Sequence, residues 1–169
     1  MEITNSTTSD LETIFDLYDA AVAHQKAVSN QHWLPFDRQL VAGEIAEGRQ
    51  WKIVVDGQIA CIFLTAYSDP AIWGEKDLDP SIYLHRIVTN PAFRGRNFVQ
   101  KVVEWSKNQA RTSGKKFIRL DTWSDNPKLK ELYIQCGFQF LGNQTPANPA
   151  VLPIHYSTIT LGMYELAVD

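Results

Sequence analysis

The sequence predicts a mixed α/β fold of the α+β type, in a single domain that spans residues 1–169. Three observations predict it. Apolar residues recur at helical spacing near the N-terminus, beginning at Leu11. The pair Asp56-Gly57 stands between two apolar runs, which is typical of a β-hairpin. Strand patterns then alternate with helix patterns through the rest of the chain.

Two helices are predicted in the N-terminal part. Ser9 or Asp10 can cap the first helix, which we expect to run to about Ser29. A loop rich in aromatic residues, 32–36, precedes the second helix, which we expect over 37–47. The first helix carries its apolar residues at helical spacing.

The middle of the chain predicts strands. Residues 51–55 and 58–67 form the two arms of the hairpin. A polar loop is expected over 68–81, and another strand over 82–89, which a proline turn then ends.

The C-terminal part predicts two further helices, each followed by strand. Asn126-Pro127 is a typical helix start, because a capping residue precedes proline at the first helical position. The predicted elements are a helix from about Arg96 to before Gly114, a strand over 117–123, a helix over 126–137, a strand from 138, a long loop over 143–156 and a last strand over 157–168.

Composition narrows the class of protein. The formal net charge is −3 and the basic residues form no long run, which argues against nucleic-acid binding. Cys61 and Cys136 lie in apolar surroundings with no Cys-x-x-Cys pair, so we expect free thiols and a cytoplasmic location. The first residues lack the pattern of a signal peptide, and no apolar run reaches the about 20 residues that cross a membrane.

The most informative stretch is 84–96, where a strand ends in a proline turn and Arg94-Gly95-Arg96 opens a helix. Unpaired N–H groups at a helix start favour an anion, and the arginines add donors suited to phosphate oxygens. The alternative is an ordinary strand–turn–helix crossover with solvated arginines.

In this stretch the chain resembles the GNAT superfamily of N-acetyltransferases. Three blocks match in order: 84–96, with the pyrophosphate loop that is usually Arg-Gly-x-Gly-x-Gly or -Ala; 117–122, followed by Asn126; and 126–138, with its Leu-Tyr and Gly-Phe pairs. The resemblance is strongest over 83–142, and the predicted elements upstream also fit the family.

The resemblance implies a central, twisted, mixed sheet that is mostly antiparallel. One parallel pair, the strands ending at Thr89 and near Trp123, would splay to form the cleft for coenzyme A. The implied reaction is direct attack of a primary amine, on a small molecule or a peptide, upon acetyl-CoA. Backbone N–H groups near Val88 would stabilise the developing oxyanion, and no metal is expected.

The resemblance also assigns the residues that hold the donor. Backbone groups would bind the pantetheine arm and the segment from Arg94 would bind the pyrophosphate. Asn97 and Val99 depart from the family's small residues, although Asn tolerates a left-handed backbone. Asn126 equally fits a plain helix cap. The implied donor residues are Ile87, Val88, Thr89, Arg94, Gly95, Arg96, Asn97, Phe98, Val99 and Asn126.

Two residues are candidates for proton transfer. By resemblance, Tyr133 protonates the departing thiolate, although it also falls on an apolar helix stripe that favours a core position. His85 can accept the proton of the amine, because histidine titrates near neutral pH. The alternative for His85 is a buried structural histidine. Alternative bases in the preceding loop are Glu75, Asp77 and Asp79.

Aromatic residues outside the periodic faces are candidates for an acceptor pocket. Trp33, Phe36 and Trp73 lie in predicted loops, and Tyr83 shares a strand face with His85. The alternative is that these residues cover the hydrophobic core. No metal-ligand spacing was found for the remaining histidines, His24, His32 and His155.

A second function remains open from the sequence. Val99 places a β-branched side chain in the phosphate loop, which favours a module that binds coenzyme A or regulates without turnover. Release of thiol from acetyl-CoA in the presence of amines distinguishes the two functions. The expected partner is a small-molecule amine acceptor, with no nucleic acid and no membrane, and a homodimer is left open.

Overall fold

The fold is described from a computed structural model, which covers residues 1–152 and 159–169. A seven-stranded sheet has the order β1-β2-β3-β4-β5-β7-β6. Its strands are β1 (Glu2–Asn5), β2 (Gln50–Val55), β3 (Gln58–Ala66), β4 (Ser81–Thr89), β5 (Phe117–Trp123), β6 (Gln139–Gln144) and β7 (Leu161–Ala167). Its helices are α1 (Leu11–Val28), α2 (Arg38–Ala46), α3 (Pro70–Trp73), α4 (Phe98–Ser113) and α5 (Pro127–Gln135). The predicted mixed α/β class is confirmed.

The chain forms two compact units, each made of two segments. Unit 1 contains residues 1–65 and 86–98, and unit 2 contains residues 66–85 and 99–169. Strand β4 therefore contributes its first part to unit 2 and its last part to unit 1.

Unit 1 contains the two N-terminal helices, which lie close to the predicted bounds. The Asp37 carboxylate caps α2 by accepting from the N–H groups of Gln39 and Leu40. Helices and strands share one core cluster, and its buried members are Ile14, Leu17, Tyr18, Val41, Ile62 and Val88.

The hairpin of β2 and β3 turns where the sequence predicts. Asp56 and Gly57 both have left-handed backbones, with φ of 50° and 76°, the pair of conformations that a two-residue hairpin turn requires. Strand β1 was missing from the predicted order. It pairs antiparallel with β2, Ile3 lying opposite Ile53, and its four residues are too few for a period to emerge.

Unit 2 contains the parallel pair expected from the resemblance. The registered partners on β4 and β5 are Ser81↔Phe117, Ile82↔Ile118 and Tyr83↔Arg119. On its other edge, β5 pairs antiparallel with β7 along its whole length, and β7 pairs antiparallel with β6.

The segment after β3 corrects the prediction of a polar loop over 68–81. Pro70–Trp73 form a short helix and Gly74–Leu78 a 3-10 helix. Trp73 is the last residue of the short helix and is only 4% exposed. Its predicted position in a loop is therefore wrong. The Pro and Gly residues of this segment favour a loop. The packing of Trp73 depends on contacts with residues that are distant in sequence, so the local pattern does not reveal it.

Helix α4 begins at Phe98 rather than near Arg96, because Asn97 takes a left-handed conformation that a helix does not admit. Cys61 and Cys136 are buried free thiols, as predicted. Residues 153–158, which include His155, parts of the predicted loop 143–156 and the start of the predicted strand 157–168, lie outside the described residues. No helix within the described ranges has the length and apolarity needed to cross a membrane.

Candidate active site

Arg86 on β4 has an unusual backbone conformation. This residue has φ of 48°, which is rare for a residue with a side chain and costs conformational energy that tertiary contacts must offset. The registered pairs with β5 end at Tyr83, before this residue. Positions of strained backbone often accompany functional sites.

His85 lies next to a carboxylate in unit 2. Its Nε2 atom is 3.4 Å from Oδ2 of Asp69, and the two side chains are 24% and 12% exposed. Asp69 precedes α3, so the short helix that the sequence did not predict fixes the position of this carboxylate.

Asp121 on β5 completes a group of three side chains. One ligand atom from each of Asp69, His85 and Asp121 lies within 4.8 Å of the other two. Burial and the charge of Asp77 raise the pKa of Asp69 to about 6. Burial and the charge of Asp69 raise the pKa of Asp121 to about 7. Two carboxyl groups in this position resist simultaneous ionisation and can hold a proton near neutral pH.

The three acidic residues proposed as alternative bases have other contacts. Asp77 accepts hydrogen bonds from the Ser68 hydroxyl at 2.7 Å and the Asp69 N–H at 2.6 Å. Burial acts to raise the pKa of Asp77, but these hydrogen bonds lower it overall. Asp79 binds the buried Arg119 at 2.8 Å, and Glu75 is exposed. These contacts occupy Asp77 and Asp79 in structural bonds.

Tyr133 lies on α5 and is 8% exposed. Its ring contacts those of Phe138 and Tyr164, with centroids 6.0 and 5.2 Å away. Burial, followed by the neighbouring Tyr164, Asp121 and Cys136, raises the pKa of its hydroxyl. Tyr133 therefore keeps its proton at neutral pH and is available as a hydrogen-bond donor.

Trp73 and Tyr83 belong to the core of unit 2. Their ring centroids are 5.8 Å apart, and both pack with Ile72, Leu161 and Met163. Burial and Asp77 raise the pKa of the Tyr83 hydroxyl to about 12. The prediction that these two residues line an acceptor pocket stays untested, and their burial gives them a packing role.

Trp33 and Phe36 lie together in unit 1, in the loop predicted between the first two helices. Both are half-buried and pack against Tyr18, with centroids 6.3 and 4.7 Å from its ring. The Arg86 guanidinium lies over the rings of Tyr18 and Phe36 and is paired with the buried carboxylate of Glu44. Aromatic surface and a buried ion pair thus adjoin the strained residue of β4.

The predicted phosphate segment contains two residues with a left-handed backbone. Gly95 and Asn97 have φ of 80° and 56°, and α4 follows directly with its first N–H groups unpaired by the helix itself. A Cβ built on Gly95 meets no atom within 4 Å. Arg94 and Arg96 are exposed, with Arg96 over the Phe93 ring. Val99 is half-buried in the first turn of α4.

Asn126 performs the structural role that the sequence offered as an alternative. Its side-chain oxygen accepts from the N–H of Leu129 at 3.0 Å and caps α5. This bond uses one lone pair of the oxygen, and the amide N–H groups of the same side chain remain able to donate. Contact with coenzyme A stays a prediction for this residue.

Asp69 and Asp121 were missed in the sequence. A signal for Asp121 was present: it is a carboxylate that follows buried Leu120 within an internal strand. The parallel register aligns Tyr83 with Arg119. The registered pairs end there, but the same spacing extended by two residues on each strand would predict His85 near Asp121, and one ligand atom of each lies within 4.8 Å of the other. Asp69 has no comparable signal, because only the fold of α3 brings it to His85.

Comparison with known proteins finds a matching family and a relative. A family model described as the acetyltransferase (GNAT) family matches residues 30–138. The uncharacterized N-acetyltransferase YesJ of Bacillus subtilis (strain 168) is 30% identical over 106 residues, which cover 60% of this chain and 59% of that protein. The chain's match therefore spans less than two thirds of the length of that relative.

Solved structures share the fold. A GNAT-family acetyltransferase from Listeria monocytogenes 4b F2365 has a TM-score of 0.80 at 21% identity, with 99% of this chain and 94% of that chain covered. The Salmonella typhimurium protein yncA, solved with its cofactor acetyl-CoA, has a TM-score of 0.71 at 16% identity, with 100% and 94% covered. The family model matches more than half of the chain and confirms the resemblance seen in the sequence. The chain belongs to the acetyltransferase (GNAT) family.

Proposed function

We propose that the chain is an acetyl-CoA-dependent N-acetyltransferase that acts on the primary amine of a small molecule or a peptide. Family membership supports acetyl transfer. The observation that carries the choice of donor is the left-handed pair Gly95 and Asn97 ahead of α4, because this backbone presents N–H groups and exposed arginines to an anion.

The proposed donor residues would bind acetyl-CoA in three ways. Arg94, Gly95, Arg96, Asn97, Phe98 and Val99 would hold the pyrophosphate. The backbone of Ile87, Val88 and Thr89 would pair with the amides of the pantetheine arm as an added strand does. Asn126 would contact coenzyme A with the N–H groups that its cap leaves to donate. The relative yncA, which shares the fold, was solved with acetyl-CoA.

Acetyl-CoA supplies an activated acetyl thioester, which a neutral amine attacks directly. His85 would take a proton from the acceptor ammonium, since alkylammonium groups have a reference pKa near 10.4 and do not attack. Backbone N–H groups near Val88 would donate to the thioester oxygen. Tyr133 would give its hydroxyl proton to the leaving sulfur and recover one from the acylated nitrogen.

Trp33 and Phe36 would form an apolar wall of the acceptor site. Both are half-buried and ordered by contacts with Tyr18. Such surface favours an amine with an aromatic or alkyl body over a polycation. A small amine is therefore the acceptor that we favour. The alternative acceptor is the N-terminus or a lysine of a peptide, and the test includes both classes.

A second candidate function is binding of coenzyme A without turnover. Val99 supports it, because its β-branched side chain stands in the first turn of α4, where the family usually has a small residue. The family match is common to both candidates, so only turnover decides between them.

Thiol release from acetyl-CoA tests the proposal. Purified protein is incubated with acetyl-CoA and a panel of arylalkylamines, alkylamines, polyamines and peptides, and free thiol is followed over time. The proposal expects release that depends on an amine and is fastest for monoamines with an apolar body. Saturable binding of acetyl-CoA with no release for any acceptor supports the binding module instead.

A further inference from the structure

We propose that Asp69 and Asp121 are positioning residues that act through His85, so that the three side chains form one proton-accepting cluster for the acceptor ammonium. This inference rests on the proposed function. It deepens that function by giving the base two partners that neither the sequence nor the family match assigns.

The geometry of the cluster comes from three separate elements of unit 2. His85 projects from β4, Asp69 precedes α3, and Asp121 lies on β5. The His85 Nε2 to Asp69 Oδ2 distance is 3.4 Å, and one ligand atom of each side chain lies within 4.8 Å of the others. Three elements thus converge on one imidazole. A carboxylate in this position stabilises the protonated form of the ring.

The electrostatics of the cluster suit a base that works near neutral pH. Burial and Asp77 raise the pKa of Asp69 to about 6, and burial and Asp69 raise that of Asp121 to about 7. The two carboxyl groups therefore become negatively charged near neutral pH, where the enzyme must also deprotonate the acceptor ammonium. A positively charged imidazolium beside them relieves the repulsion between the two anions.

Other charged and titratable groups adjoin the cluster on each side. Asp77 accepts a hydrogen bond from the Asp69 N–H. Burial acts to raise the pKa of Asp77, whereas its hydrogen bonds and, to a smaller extent, the charge of Arg119 lower it. On the other side, the pKa of Tyr133 is raised mainly by burial, then by Tyr164 and then by Asp121. Asp121 is therefore coupled to both proposed proton-transfer residues, and Asp69 gives the cleaner test of the base.

The proton balance is simple. An N–H bond of the ammonium breaks, its electron pair stays on the amine nitrogen, and the proton forms a new N–H bond on the imidazole ring of His85. The cluster has then gained one positive charge, which the carboxylates of Asp69 and Asp121 offset, and it returns the proton to water after product release.

The test uses acceptors that differ in whether they need a base. Asp69→Asn and Asp121→Asn are compared with wild type on an alkylamine, which is an ammonium at neutral pH, and on an arylamine, which is already neutral. Asp19→Asn is the matched control, because Asp19 is exposed on α1. The expected result is a loss of about 100-fold in kcat with the alkylamine, within the usual range for general base catalysis, and a loss of less than about 5-fold with the arylamine.

The pH profile supplies a readout that a structural role does not move. For the alkylamine, the acidic limb of kcat/KM should shift to lower pH in Asp69→Asn, because a neutral amide no longer stabilises the imidazolium. The KM for acetyl-CoA should stay within about 3-fold of wild type, since neither carboxylate belongs to the proposed donor site.

Several results would overturn the inference. Equal losses with both acceptors would make the carboxylates structural, and unchanged kinetics would remove them from the reaction. Loss of wild-type activity on chelation, restored by a divalent cation alone, would make the trio a metal site, which its ligand spacing also permits. Wild type that releases no thiol with any amine would overturn the proposed function as well, whereas the other results leave that function intact.

Discussion

The Nε2 atom of His85 lies 3.4 Å from Oδ2 of Asp69, although a short helix, a 3-10 helix and half a strand separate the two residues in the chain. This contact exists because residues 70–78 fold back over the core of unit 2 and bury Trp73. A segment that looks like a polar loop thus supplies the carboxylate nearest to the proposed base.

Replacement of Asp121 by Asn should stabilise the protein at high pH. The pKa of Asp121 is raised from 3.8 to about 7, by burial and then by Asp69. The folded state therefore holds this proton more tightly than the unfolded chain, and the free energy of unfolding falls as pH rises from about 4 to about 7. Asp121→Asn removes this loss and should add on the order of 2 kcal/mol at pH 8.

Thermal melts at pH 4 and pH 8 measure this effect. The variant should melt about 5 °C above wild type at pH 8 and show little gain at pH 4, where Asp121 is protonated in the folded state and partly protonated in the unfolded chain, in which its pKa is 3.8. A variant that is less stable than wild type at both pH values would contradict the raised pKa. A more stable but less active variant is the trade-off expected of a functional site.

The sequence predicted the order of most elements but few contacts of the site. Helix caps and turns such as Asp37 and Asp56-Gly57 are local, so their chemistry can be seen in a few residues. Strand β1 is too short to show a period, and the burial of Trp73 depends on distant contacts with Tyr83 and Leu161. The cluster around His85 contains residues from three elements of the fold. Only the closeness of His85 and Asp121 could have been predicted, from the expected parallel pairing of β4 with β5.

Substitution of Gly95 tests the donor site. Gly95→Asp places an anion where the pyrophosphate is proposed to bind and should weaken acetyl-CoA binding by about 10-fold or more. Gly95→Asn is the matched control, because Asn has nearly the same shape, lacks the charge and tolerates the φ of 80°. Calorimetry should show that the difference between the two variants shrinks as salt rises. Equal affinities at low salt would contradict phosphate binding there.

Tyr133→Phe tests the proposed acid. The phenylalanine ring preserves the contacts with Phe138 and Tyr164, so the melting temperature and the affinity for acetyl-CoA should change little. The loss of the hydroxyl proton should lower kcat by about 10- to 100-fold. Steady-state kinetics with one good acceptor measures the effect. An unaltered kcat would return Tyr133 to the core stripe that its helix position predicts.

Removal of Glu44 tests the buried ion pair of unit 1. Glu44 and Arg86 have side chains only 5% and 11% exposed. Glu44→Ala leaves the guanidinium buried without its partner and should cost about 3 kcal/mol in the free energy of unfolding. The double variant Glu44→Leu, Arg86→Met removes both charges and should recover much of that loss in a denaturant titration. A double variant less stable than Glu44→Ala would contradict the explanation by an unpaired charge.

Transfer of the acetyl group of acetyl-CoA to an amine nitrogen is the reaction that we propose for this chain. The most direct measurement is mass spectrometry of the acceptor after incubation with acetyl-CoA isotopically labelled in its acetyl group, with free thiol measured in the same sample. We expect labelled amide and thiol in equal molar amounts, with both lowered to the same degree in Tyr133→Phe. Thiol without labelled amide, or neither product with any amine, would contradict it.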